Sequence, residues 1–171
     1  VLKGSLRVEK PRLMELMADP VSSHLVELFL AGEKVKRNAP MVPASAGRIG
    51  VLGAGLMGSQ IAGQLAEKGH SVVLRDVSSD ILANAVGRIH KAQMAQVGKR
   101  IILPSEMRDR MMRIAPTIQL KDVSPSSLVI EAVSEKLDVK RAVLAEFEAA
   151  APSDAIFATN TSSYTLADIA A

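Results

Sequence analysis

The chain has 171 residues, enough for one domain of ordinary size or slightly more. Hydrophobic residues make up 48%, so a core can be buried, but the aromatics are only Phe29, Phe147, Phe157 and Tyr164, which argues against the stacking platforms that hold single-stranded nucleic acid. The formal charge of +3 is spread along the chain with no basic stripe for a duplex, and the lack of cysteine excludes a disulfide scaffold, a thiol nucleophile and a thiolate metal site.

Taken in chain order, residues 9–37 read as two helices. Leu13, Met14 and Met17 share a face of the first. Asp19 and Pro20 suit the N-cap and first position of the second. Val21, Leu25, Leu28, Phe29 and Val35 then recur at helical spacing, so this amphipathic helix needs a partner surface. RNAPMVPASAG, 37–47, has two prolines, small residues and no periodicity, and reads as a linker. No run approaches the roughly eighteen apolar residues of a membrane span. The opening VLKGSLRVEK has neither an initiator Met nor a signal-peptide apolar stretch. The expectation is a piece of a longer protein.

From Arg48 the pattern changes. RIGVL is a short buried strand and LMGSQIAGQLAEK a helix closed by Gly69. SVVLRD is a second strand. SSDILANAVGRIHKAQMAQVG is a long helix capped by Ser78 or Ser79, and PSEMRDRMMRI is a second helix opening at Pro104. A short strand spans about 115–118. SLVIEAV is a strand, KLDVKRAVLAEFEAAA a helix, DAIFATN a strand, and SSYTLADIAA the start of another helix. Alternating strands and helices predict right-handed crossovers and a parallel sheet covered on both faces, an α/β architecture.

The segment VLGAGLMGSQIAG places Gly53, Gly55 and Gly58 at GxGxxG spacing, after a strand and at the opening of a helix. That context is the one a dinucleotide requires. The first glycine permits a tight turn, the second admits a diphosphate to the backbone, and the third lets the helix pack on its strand. Asp76 ends the second strand, eighteen residues after Gly58. Its carboxylate suits ribose hydroxyls and repels a 2′-phosphate, so NAD is expected rather than NADP. Arg75, next to it on a strand, should face the other way.

GRIGVLGAGLMGSQIAGQLAEKGHSVVLRDV, SLVIEAVSEKLDVKRAVLAEFE and AIFATNTSSYTLADIA together resemble the NAD-binding domain of the L-3-hydroxyacyl-CoA dehydrogenases. The resemblance covers about residues 48–171, and its second and third blocks are more specific than the glycine loop. It implies a Rossmann-type doubly wound parallel sheet with a helical hairpin insertion at about 79–113. It also implies roles. Leu56 and Met57 lie in the loop beside the diphosphate. Val133, Ser134, Glu135 and Lys140 lie on the nicotinamide side. Asn160 and Ser162 lie near substrate and nicotinamide, with Ser162 aligning the 3-hydroxyl. Alternatively, Ser162 caps a helix and Lys140 is an ordinary helix lysine. Glu131 either faces the ligand or caps nearby backbone.

LMADPVSSHLVELFLAGEKVKR further resembles the linker helices preceding the dehydrogenase part of multifunctional fatty-acid oxidation enzymes. On that reading, residues 1–47 are a helical linker from a preceding hydratase domain, and 48–171 a Rossmann domain that is C-terminally incomplete. The implied reaction is NAD-dependent oxidation of a 3-hydroxyacyl-CoA to the 3-ketoacyl-CoA in fatty-acid β-oxidation. The implied partners are the acyl-CoA substrate and the thiolase subunit of an oxidation complex. The implied compartment is the cytoplasm in bacteria, and otherwise the mitochondrion or peroxisome. The family's catalytic histidine lies in an HFFNP-like segment that this sequence does not contain, so the fragment is expected to bind cofactor but be inactive alone. His24, His70 and His90 read as structural, with no spacing for a metal site. Lys99, Arg100, Arg108, Arg110 and Arg113 read as a solvated face rather than a coenzyme A phosphate site. The competing readings are a binding-only Rossmann module, such as a redox sensor or inactive relative, and another β-hydroxyacid-type NAD(P) dehydrogenase.

Overall fold

The computed structural model describes residues 11–38 and 47–171, and divides the chain into two compact units, residues 1–44 and 45–171. The first unit holds helix α1 (residues 11–18) and helix α2 (Pro20–Asn38). Asp19 separates them as expected: its Oδ1 accepts the Val21 N–H at 2.8 Å, and Pro20 takes the first helical position, where a missing N–H costs nothing. Leu13, Met14 and Met17 on α1 are exposed, as are Val21, Leu25, Leu28 and Phe29 on α2. The Val35 side chain and residues 39–46, most of the expected linker, lie outside the described residues. No helix among the described residues is long and apolar enough to cross a membrane.

The second unit is a five-stranded parallel sheet of order β3-β2-β1-β4-β5. Its strands are β1 (Arg48–Leu52), β2 (Ser71–Arg75), β3 (Ile114–Thr117), β4 (Leu128–Glu131) and β5 (Ile156–Thr159). Between them run α3 (Leu56–Glu67), α4 (Ser79–Gly98), α5 (Pro104–Met112), α6 (Leu137–Glu148) and a final short α7 (Leu166–Ile169). Alternation along the strands feeds two cores. Val51, Val72, Leu74 and Ile114 meet Ala62 and Ala66 of α3 and Leu82, Ala85 and Ile89 of α4. Leu52, Val73 and Val129 point the other way and meet Val143 and Phe147 of α6, with Leu120 and Val123. Burial on both sides is why these strands read as nearly continuous apolar runs.

The chain moves outward from β1 through β2 to β3, then returns to the far side of β1 as β4. The reversal opens a crevice past the carboxyl ends of β1 and β4, where open α/β sheets place ligands.

Two local readings change and one is narrowed. The helix expected from Ser162 begins only at Leu166, capped by Thr165. Residues 162–164 form a bend, with the Ser163 N–H donating to the Thr161 hydroxyl, and Thr165 and Asp168 form the reciprocal cap that starts the helix. Of the two expected caps for α4, Ser78 is the one used, accepting from the Ile81 N–H. Arg110 is not on a solvated face. It is 7% exposed, and donates to Gln93, Gln96 and Glu106 at 3.2, 3.2 and 2.7 Å with Glu67 at 3.5 Å. The fold of α5 back on α4 encloses it, a tertiary event with no local signature. Lys99, Arg100 and Arg108 remain exposed.

The Thr165–Asp168 box carries a pH prediction. The Thr165 hydroxyl, then the Thr165 N–H, then the Arg141 charge hold the Asp168 carboxyl below its ordinary value, outweighing partial desolvation. A depressed carboxyl adds stability above its ordinary pKa and loses it as pH falls through the lowered one. The side-chain carboxyl carbon of Asp168 should therefore titrate, by NMR, below the ordinary carboxylate range. In Thr165→Ala the midpoint should move back up; an unmoved midpoint would remove the hydroxyl as its cause.

Candidate functional site

The crevice is floored by the three glycines, each for a different reason. Gly53 sits at φ +94°, where side chains are disfavoured, and a Cβ there would lie 2.5 Å from the Ala132 carbonyl oxygen. Its N–H donates to the Arg75 carbonyl at 2.8 Å, so the turn is stitched to β2. A Cβ on Gly58 would land on the Gly53 carbonyl oxygen, well inside van der Waals contact. Close seating of α3 on β1 demands glycine there. Gly55 differs: it is exposed, and a Cβ on it would meet nothing within 4 Å. Its φ of −62° is open to any residue. Nothing in the chain itself requires glycine at 55, whereas a ligand lying against the backbone does.

The amides complete this cradle. The N–H groups of Gly55, Leu56, Met57 and Gly58 have no acceptor among the described residues, and the Gly55 cap of α3 has no side-chain bond. Leu56 and Met57 are 65% and 49% exposed, with their side chains outward and their amides at the helix opening. A helix start with free amides and the positive end of its dipole suits a diphosphate. The donor set, the open face and the space at Gly55 fit a dinucleotide.

Asp76 borders the cradle. Its Oδ2 accepts the Ala54 N–H at 2.7 Å, and its Oδ1 accepts from Val77 N–H at 2.8 Å and more weakly from Ser78 N–H at 3.4 Å. The carboxylate is therefore turned to the loop, not to bulk water; Oδ2 keeps a lone pair for a further donor, and Oδ1 gains one by giving up the long Ser78 contact. Arg75 faces away as expected, its Nη2 lying 3.8 Å from Glu146 on α6. Strand alternation thus turns the Arg75 charge away from the acid.

Across the reversal, one carboxylate assembles the second half of the site. Glu131 is fully buried at the end of β4. Its Oε1 accepts the Val133 N–H at 2.8 Å and its Oε2 the Thr159 hydroxyl at 2.7 Å. The Lys140 ammonium donates to both oxygens at 3.0 and 3.1 Å, and the Glu131 carbonyl accepts the Asn160 N–H at 2.9 Å. Lys140, 1% exposed, also lies 3.4 Å from Glu135, whose carboxylate accepts the Thr161 hydroxyl at 2.9 Å. The loop after β4, the start of α6 and the loop after β5 are thus joined through two acids and one lysine. Lys140 is neither an ordinary exposed lysine nor on the open side of the crevice; it sits beneath the loop. Glu131 caps backbone, as one of its two readings held, but it also carries this network.

Ser134 and Glu135 are exposed on that loop, while Val133 is half-buried against the Phe147 core. Asn160 and Ser162 are exposed at the end of β5, and neither side chain is engaged in a hydrogen bond among the described residues. Ser162 caps no helix, which removes its structural alternative. Two connections lay beyond sequence reasoning. Thr159 and Thr161 hold the two acids, and Arg88 of α4 reaches the carbonyl oxygens of Ala54 and Gly55 at 2.8 and 3.1 Å. Separations of 26 to 34 residues leave no local signal for them. Among the described residues no group of His, Asp or Glu could hold a metal ion. A groove of about 700 Å³ runs between α3 and α4 and is lined by neither Asp76 nor Gly55. It adjoins the cradle through Leu56, Met57, Ser59 and Arg88.

Comparison with known proteins agrees with this geometry. Residues 48–171 match the family described as 3-hydroxyacyl-CoA dehydrogenase, NAD binding domain. Among curated proteins, the fatty acid oxidation complex subunit alpha of Psychrobacter cryohalolentis is 36% identical over 169 residues, which is 97% of this chain and 24% of that protein. That of Vibrio campbellii is 36% identical over 166 residues, 95% and 24% of the two chains. The chain thus spans about a quarter of the length of these relatives. Among solved structures, 3-hydroxybutyryl-CoA dehydrogenase from Escherichia coli superposes with a TM-score of 0.72 at 33% identity, covering 74% of this chain and 27% of that one. With the parallel sheet, the glycine cradle and the acid at its rim, these matches mean that the chain belongs to the NAD-binding domain family of the 3-hydroxyacyl-CoA dehydrogenases.

Proposed function

We propose that this chain is the cofactor-holding part of an enzyme that oxidises L-3-hydroxyacyl-CoA to 3-ketoacyl-CoA in fatty-acid breakdown. The observation that carries this reading is the exposed Gly55 with its run of unpaired amides, bounded by Asp76 on one side of the reversal and by the Glu131 network on the other. NAD, when bound, supplies the acceptor for the hydride that leaves C3. Gly55, Leu56, Met57 and Gly58 hold the diphosphate through backbone amides on the turn that Gly53 makes, and Asp76 takes the adenosine ribose hydroxyls. Val133, Ser134 and Glu135 form the wall on the nicotinamide side, and Lys140 supports that wall from below through Glu135. Asn160 and Ser162 present unengaged polar groups at the end of β5, where Ser162 aligns the 3-hydroxyl of the acyl-CoA.

The names of the curated relatives support a wider setting. In it, residues 1–47 link a preceding hydratase domain to the dehydrogenase part, the assembly includes a thiolase subunit, and the compartment is the bacterial cytoplasm.

The test is nucleotide selectivity. Asp76→Ala should weaken NADH binding by roughly tenfold or more while narrowing the preference over NADPH, because a hydrogen-bond acceptor and a like charge are lost together. Asp76→Asn keeps an oxygen for the Ala54 N–H, so it should lose less NADH affinity than Asp76→Ala while still losing discrimination. Dissociation constants from NAD(P)H fluorescence decide this. Unchanged affinity and selectivity in both variants would remove Asp76 from the ribose.

A further inference from the structure

We infer that Arg88 is a positioning residue for the diphosphate cradle, acting through the carbonyl side of the loop. It stands on α4, thirty or more residues from the glycines, on a helix anchored by buried Leu82, Ala85 and Ile89. One terminal nitrogen, Nη2, donates to both the Ala54 and the Gly55 carbonyl oxygens at 2.8 and 3.1 Å. Its Nε donates to Ser59 Oγ at 3.3 Å, and that hydroxyl in turn donates to the Leu56 carbonyl at 2.8 Å. Three consecutive loop carbonyls are thereby gripped from one side, directly or through Ser59.

Peptide geometry turns this grip into an effect on the ligand face. The described peptides are all trans, so each C=O opposes the N–H of the next residue. Holding the carbonyls of 54 and 55 toward α4 aims the N–H groups of Gly55 and Leu56 away from it, into the cradle. A cation bonded to a carbonyl oxygen also polarises that peptide and makes its N–H a stronger donor. No carboxylate pairs with Arg88 among the described residues, so its charge adds to the attraction for an anion. Asp76 holds the same loop from the opposite rim through the Ala54 N–H. The loop is therefore braced by an acid on an amide and a base on carbonyls, which leaves its remaining amides free and preoriented.

This inference rests on the nucleotide reading above, and the experiment separates the two. Titrations of NADH and of ADP are compared for the wild-type chain, Arg88→Met and Arg88→Lys. Because Arg88 is exposed, Arg88→Met should unfold at the wild-type temperature, and it should weaken NADH and ADP alike by about tenfold, as for loss of a charge-assisted hydrogen bond. The Gly55 and Leu56 amide resonances should shift in the same variant while those of the Glu131 network stay, and this local change with equal losses for NADH and ADP is what a general loosening of the fold would not produce. Arg88→Lys keeps the charge but not the fork that spans two carbonyls and Ser59, so it should recover less than half of the lost affinity. Wild-type affinity in Arg88→Met, or full recovery in Arg88→Lys, would overturn the positioning role while leaving the nucleotide site intact. Failure of the wild-type chain to bind either nucleotide would overturn the nucleotide reading itself.

Discussion

Gly55→Ala should leave the domain as stable as the parent, or slightly more so, and cost it most of its affinity for NADH; Gly58→Ala should do nearly the reverse. At 55 the backbone already has a φ of −62° and a Cβ would enter open space, so alanine is strain-free. Such replacements stabilise by about 0.4–1 kcal/mol through the unfolded chain. The same methyl would occupy the face that a diphosphate must approach, and losing contacts to an ion there corresponds to roughly 10- to 100-fold in affinity. At 58 the methyl would collide with the Gly53 carbonyl, which is backbone and cannot step aside. Overpacking with backbone displacement should cost about 2–4 kcal/mol. Thermal unfolding and NADH titration of the two variants form the check. If Gly55→Ala bound NADH as the parent does, the cradle would not be where the diphosphate sits.

The second large effect concerns Lys140. Lys140→Met should destabilise the domain by about 3–5 kcal/mol, because it strands the Glu131 carboxylate in a buried site without its cation. The double variant Lys140→Met with Glu131→Gln should recover part of that loss, since no uncompensated charge remains and the amide oxygen still accepts from Val133 N–H or the Thr159 hydroxyl. Urea unfolding of the two single variants and the double completes the cycle. Additive losses would show that the lysine and the acid do not act as a unit. The network spans the two loops assigned to the nicotinamide side. A variant that still folds should therefore lose more affinity for NADH than for ADP, which reaches only the glycine cradle and Asp76.

Much of this protein was legible in the order of its residues because the forces involved are local or periodic. Asp19–Pro20 starts a helix by satisfying the first amides within two residues, and Gly69 ends one at φ +95°. Nearly continuous apolar strands separated by helices dictate a parallel sheet. The glycines and Asp76 stand at a separation that the strand–helix–strand unit itself measures out, so the cradle and its acid followed from spacing alone. The start of α7 was misplaced by a few residues because serine and threonine serve turns as well as caps, and only the reciprocal bond from Asp168 decides between them. What tertiary structure alone settled depends on side chains that meet across the chain. Packing decided that Gly58 is glycine for contact and Gly55 for space. Burial turned Arg110 inward and placed Lys140 beneath its loop, where a charge must find partners because water is excluded. Neither Arg88 on the glycine loop nor Thr159 on Glu131 leaves a trace in sequence spacing, since their distances are set by how α4 and β5 lie against the sheet edge.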